Sequence, residues 1–136
     1  MENMYTVAMR MPFNEAVRLT KESLAAHGFG ILSDSDLAAQ LGTDAPAGLG
    51  DYRILGACDT SLMGEALALD PAAGTILPCN VVVRQERNDP VTVVEAMSPQ
   101  TLFGRAAEQQ LQDVAAQTSR GLEAAMSTLR ASAGPA

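Results

Sequence analysis

Two cysteines, Cys58 and Cys79, carry the most distinctive chemistry in this chain. Cys58 closes a predicted strand on the face shared by Tyr52, Ile54 and Gly56, and a predicted helix follows it. A helix start favours a nearby anion, so this placement predicts Cys58 as the more acidic thiol. Cys79 shares a strand face with Leu77, Val81 and Val83. A free cysteine in such company usually packs as a small, inert hydrophobe. Asp59 and Asn80 each follow a cysteine, so Cys58, Asp59, Cys79 and Asn80 form the candidate ligand-binding or reactive set.

Two thiolates and the Asp59 carboxylate would give a soft metal three donors. With 20 residues between the cysteines and no second pair, the spacing is not that of a zinc finger. His27 is the single imidazole available as a base for a nucleophilic thiol. Its position in a predicted last helical turn before Gly28 also fits a structural role at the C-terminal dipole. Gly28-Phe29-Gly30 precedes a strand, whereas a dinucleotide fingerprint follows one. Asp34-Ser35-Asp36 lacks the later ligands and glycine of a calcium loop and reads as helix capping. Gly-x-Ser-x-Gly, P-loop and His-Glu-x-x-His patterns are absent.

The elements that position these residues follow from periodicity. Tyr5, Val7, Met9 and Met11 alternate as a first strand ended by Pro12. Asn14 then caps a helix over Asn14–His27, with Gly28 at the position after the C-cap. A short strand over Phe29–Ser33 and a two-turn helix over Leu37–Leu41 come next. Thr43–Gly50 reads as a loop. Strands are predicted over Asp51–Cys58, Thr75–Arg87 and Val91–Met97, with a helix over Ser61–Leu69 and a turn at Asn88-Asp89-Pro90. Leu111, Ala115, Thr118, Leu122, Ala125 and Leu129 then form a heptad seam within a helix over Arg105–Arg130. That helix would be roughly 39 Å long, longer than a small domain is wide. Gly104 is a candidate interruption before it.

This order predicts a two-layer α+β sandwich, β-α-β-β-β-β-α at its core. A mainly antiparallel sheet of about five strands carries the two major helices on one face. Residues 1–131 make one domain and 132–136 a disordered tail. The formal charge of −7, from 16 carboxylates against nine cations, argues against nucleic acid or an anionic membrane as partner. No apolar run is long enough to span a membrane and no secretory signal is visible, so a cytoplasmic location is expected.

Tyr52-Arg53-Ile54-Leu55-Gly56-Ala57-Cys58-Asp59 resembles the first signature of domain-of-unknown-function family 302. Asp70-Pro71 followed by Gly74-Thr75-Ile76-Leu77-Pro78-Cys79-Asn80-Val81-Val82-Val83 resembles the second. His27-Gly28-Phe29-Gly30 is similar to the family's glycine-rich segment, and the likeness covers about residues 28 to 97. Where the family commonly has Asn-Pro after the first cysteine, this chain has Asp59-Thr60. The resemblance implies a fold like half of the TATA-box-binding protein, usually as a dimer, and implies no biochemical function. DNA binding does not follow from a shared fold.

The polar catalytic inventory is thin, so a non-enzymatic reading is preferred: a homodimeric module binding a small ligand or a partner. The alternative is thiol-based redox or soft-metal handling at Cys58 and Cys79. The residues name no cofactor.

Overall fold

The computed structural model describes residues 4–103 and 108–134. Five strands, β1 (Met4–Met9), β2 (Gly30–Asp36), β3 (Asp51–Cys58), β4 (Cys79–Gln85) and β5 (Thr92–Met97), form one sheet in the order β1-β5-β4-β3-β2. Every pairing is antiparallel. Alternation puts Val7, Met9, Leu55, Ala57, Val81, Val83, Val94 and Ala96 on one face, and all are buried. Helix α1 (Phe13–Ala26) carries the chain from one edge of the sheet to the other. It packs on that apolar face beside α5 (Gln109–Ala133). The result is the predicted two-layer α+β sandwich.

Helix α5 uses the predicted seam. Leu111, Ala115, Thr118, Leu122, Ala125 and Leu129 are all buried, with Val114, Ser119 and Met126 beside them. Ser23 of α1 donates to the Ala125 carbonyl, and Arg130 reaches the Thr6 carbonyl of β1 at 2.9 Å. Gly121 lets α5 pass close over Phe29, whose ring lies 3.3 Å from where a β-carbon would stand. The seam is therefore consumed within the chain.

Several boundaries differ from the sequence reading. Helix α1 starts at Phe13, because the Pro12 carbonyl accepts the first helical bond from Ala16; Asn14 lies inside the helix and caps nothing. Its other end is as expected, with Gly28 at φ 87° and the amides of Gly28 and Phe29 bonded back to Ala25 and Leu24. Strand β2 runs on through Asp34-Ser35-Asp36, since its pairing with β3 continues to Arg53. A bulge between Ile31 and Ser33 leaves Leu32 60% exposed. Asp36 still caps α2 (Leu37–Leu41), accepting from the Ala39 amide.

Helix α3 (Thr60–Leu69) gives way to a 3-10 turn over Pro71–Thr75. The strand predicted from Thr75 begins only at Cys79: the Ile76 and Leu77 amides bond back to Ala73, and Leu77-Pro78 is a cis peptide. Helix α4 (Pro99–Phe103) precedes α5. The predicted interruption at Gly104 and the predicted helix start at Arg105 lie outside the described residues. At its other end α5 extends past Arg130 to Ala133, so Ser132 and Ala133, expected in a disordered tail, are helical. No helix of the described residues is long and apolar enough to cross a membrane.

The second face of the sheet carries Tyr52, Ile54, Val82, Val93 and Met97, all half-buried. Arg84 and Glu95 form an ion pair among them, on adjacent strands. The hydrogen bond to the Glu95 carboxylate outweighs the opposing burial and holds Arg84 above its ordinary range. At the β2 edge, Asp34 is bonded by Arg53 at 2.9 Å and by Lys21 of α1 at 2.7 Å. Partial burial pushes that carboxyl up, and the two cations together outweigh it, so its pKa lies below the usual value.

Two glycines separate backbone necessity from mere composition. Gly50 has φ 68°, and a β-carbon there would collide with the main chain of Gln85 and Arg87. Gly64 lies in α3, where a β-carbon would touch nothing within 4 Å. Gly50→Ala should lower stability in urea unfolding by about 1–3 kcal/mol. Gly64→Ala should raise it by roughly 0.5–1 kcal/mol. The same sign for both would contradict this account.

Candidate functional site

The end of β3, the start of β4 and the first turns of α3 meet beneath α5. Ala57 pairs with Cys79 across the β3–β4 ladder, while Cys58 pairs with Gly30 of β2. Asp59 ends the strand and caps α3, its Oδ1 accepting from the Leu62 amide at 3.2 Å. Gly28 lies against the same carboxylate: a β-carbon there would be 3.5 Å from Asp59 Oδ2. The glycine-rich segment is thus packed on the turn that follows the first cysteine.

Both cysteines are free thiols and both are buried, Cys58 at 4% and Cys79 at 3% exposure. Together with Asp59, Met63, Leu77 and Thr118 they line a cavity of about 10 Å³. That is near the least space that holds one water molecule. An organic substrate has no room there. Asn80, in contrast, is exposed and pairs with Gly56 on the next strand; it does not line the cavity. Of the four candidate residues, three converge.

The helix start does not acidify Cys58, although Cys79 is raised further and Cys58 stays the more acidic of the two. Burial first, and then the neighbouring Asp59 carboxylate, push its thiol above the ordinary range. The α3 dipole favours a thiolate, but its N-terminal cap is itself an anion, and desolvation dominates. Cys79 lies deeper; burial pushes it up to about 12, with Cys58 adding to the effect. His27 lies elsewhere, with Nε2 2.8 Å from the Thr128 hydroxyl of α5. It does not line the thiol cavity. Among the described residues, no group of three or more His, Cys, Asp and Glu could hold a metal ion.

Met63 and Thr118 are the residues that sequence reasoning missed. Met63 follows Asp59 by one helical turn, and its amide bonds the Asp59 carbonyl, so the i,i+4 spacing was a usable signal. Thr118 arrives from α5, and nothing local announces it. Two open hollows along α3 and α5 were likewise not foreseen. One of about 450 Å³ lies between α3 and α5; the other, of about 430 Å³, reaches from the 3-10 turn to Phe103 and Leu111. Leu69 lines both.

The raised thiol of Cys79 predicts an alkaline signature. In the unfolded chain this thiol ionises near its ordinary value of about 8.5. In the folded protein it keeps its proton up to about 12. Between those values the unfolded state binds fewer protons at this site, so stability falls as pH rises, by at most about 1.4 kcal/mol per pH unit. Urea unfolding from about pH 9 to about pH 11 should show a shallower decline for Cys79→Ala than for the wild type. Parallel declines would mean that Cys79 is not held protonated by the fold.

The family model "Domain of unknown function DUF302" matches residues 5–129. A crystal structure of an uncharacterised conserved DUF302 protein from Bacillus stearothermophilus is similar over 96% of this chain and 100% of that one. Its TM-score is 0.81 at 25% identity. No curated protein matches. With its two cysteine signatures folded onto one strand–helix junction and the family model spanning nearly the whole chain, the protein belongs to the DUF302 family.

Proposed function

We propose that this protein is a non-enzymatic binding module that takes an apolar cation in the groove along α3 and α5. One observation carries the reading: an apolar floor under carboxylates, with no Lys or Arg among the described lining residues. Leu69, Ile76, Phe103, Leu111 and Val114 supply the floor. Glu65, Asp70, Glu108 and Asp113 line the same two hollows, and none of their described lining residues is Lys or Arg. Each hollow, at about 450 and 430 Å³, is of the size that small-molecule sites occupy. A quaternary or primary ammonium on a hydrocarbon body matches both the floor and the rim, and the net charge of −7 draws it in.

The test uses decyltrimethylammonium and decyl sulfate, both as monomers, in calorimetric titrations. The cation should bind and the sulfate should not. Leu69→Lys, which places a charge in the floor, should weaken the cation by about tenfold or more, a cost of about 1.4 kcal/mol. Equal binding of both amphiphiles would remove the charge argument, and binding of neither would remove the site.

The same reading makes the protein a homodimer through the open sheet face. With the α5 seam buried within the chain, the half-exposed aliphatic surface around Val82 and Val93 is what remains for a second copy to cover. The Arg84–Glu95 pair is already neutral within each chain, which lowers the cost of burying it. Light scattering at micromolar concentration should give twice 14.2 kDa, and Val82→Arg should give the monomer mass. A monomeric wild type rejects the dimer. Two free, buried thiols support a reducing, cytoplasmic location.

A second reading, soft-metal handling by the thiols, is favoured by the cavity that Cys58 and Cys79 share.

A further inference from the structure

We propose that Cys58, Cys79 and Met63 form a buried three-sulfur site for a single Cu(I) ion, an inference that rests on the soft-metal reading. The three residues come from the end of β3, the start of β4 and the second turn of α3, and all line one cavity. Its volume of about 10 Å³ is that of one small particle, too little for a hydrated divalent ion with its water shell.

The donor chemistry narrows the choice. Of the oxygen-bearing side chains at the cavity, Asp59 accepts the Leu62 amide and Thr118 donates to the Val114 carbonyl at 2.9 Å. Asp59 Oδ2 and the lone pairs of the Thr118 hydroxyl stay unused, but they are hard oxygen donors that suit a soft ion less than sulfur does. The remaining walls from Ala57, Leu77 and Pro78 are apolar. The soft donors at the cavity are two thiols and a thioether. Thiolate and thioether ligands select soft ions such as Cu(I), whereas structural zinc takes four ligands, which this cavity lacks. A group of His, Cys, Asp and Glu alone does not complete a site here. The thioether of Met63 supplies the third donor.

The binding step balances with no change of oxidation state. Binding breaks two S–H bonds and forms two Cu–S bonds, with the thioether adding a third without losing a proton. The two protons leave to the buffer, and copper stays Cu(I), so no oxidant or reductant enters. The complex then carries one net negative charge, which the first-turn amides of the ten-residue helix α3 favour and which burial and the Asp59 carboxylate oppose.

The test delivers Cu(I) without oxygen to the full, reduced chain in competition with the chelator bathocuproine disulfonate. One Cu(I) per chain should be retained, with an X-ray absorption spectrum showing three sulfur neighbours. Cys58→Ser and Cys79→Ser should each abolish retention. Met63→Leu conserves volume and keeps the fold, which circular dichroism would check, and should weaken binding by about tenfold or more, at least the loss typical of an outer-shell partner. If the cysteine variants lose copper while Met63→Leu binds as the wild type does, the three-sulfur site is wrong and the soft-metal reading stands. If the wild type retains no copper, or Cys58→Ser and Cys79→Ser retain it equally well, both fail.

Discussion

The apolar seam of α5 is the contact on which the other features depend. Nine of its side chains, from Leu111 to Leu129, are buried. Several are Leu, Val or Met, each adding about 1.5–3 kcal/mol when fully buried. The seam closes over a sheet face made of Val7, Met9, Leu55, Val81, Val83 and Val94. Placing α5 there brings Thr118 over the thiols and sets α3 against its N-terminal half. It also leaves the opposite face of the sheet uncovered. The cavity, the groove and the open face are thus three consequences of one helix docking.

A heptad seam in an isolated sequence reads equally well as a coiled-coil contact or as a core stripe, because both repeat near 3.5 residues. Here Ser23, His27 and Arg130 lock α5 to α1 and β1, and Gly121 permits the close approach to Phe29. Those contacts span more than ninety residues of sequence. Periodicity encodes which face of a helix is apolar, but not what that face meets.

The fold was legible where local rules decide it. The Gly28 helix stop, the Asp36 cap and the alternation in β3, β4 and β5 each follow from chemistry within a few residues. Errors arose where pairing overrode local preference. Asp34-Ser35-Asp36 looks like a capping cluster, yet Arg53 and Lys21 neutralise Asp34 and hold it in a strand. Thr75–Pro78 looks extended, yet its amides turn back to Ala73. At the site, Cys58, Asp59 and Cys79 line one cavity, while Asn80 is exposed opposite Gly56 and outside it, a distinction that the two cysteine-centred motifs do not carry. The helix dipole beside Cys58 is visible in sequence, whereas the burial that raises both thiols comes from distant elements and is not.

Helix α3 links the two candidate sites while being weakly tied to the core. Ala66 is its single fully buried residue, and Leu67 is 40% exposed. Met63 near its start faces the thiol cavity, whereas Glu65, Ala68 and Leu69 line the groove. An element with so little buried surface opens at lower free energy than the core around it. That matters for a cavity whose two cysteines are almost wholly shielded from solvent. The sheet ladder and α5 cannot yield without exposing the main core, so α3 is the wall whose opening would expose Cys58 and Cys79. A ligand seated on Leu69 would tie that wall to α5, and occupancy of the groove would then restrain access to the thiols.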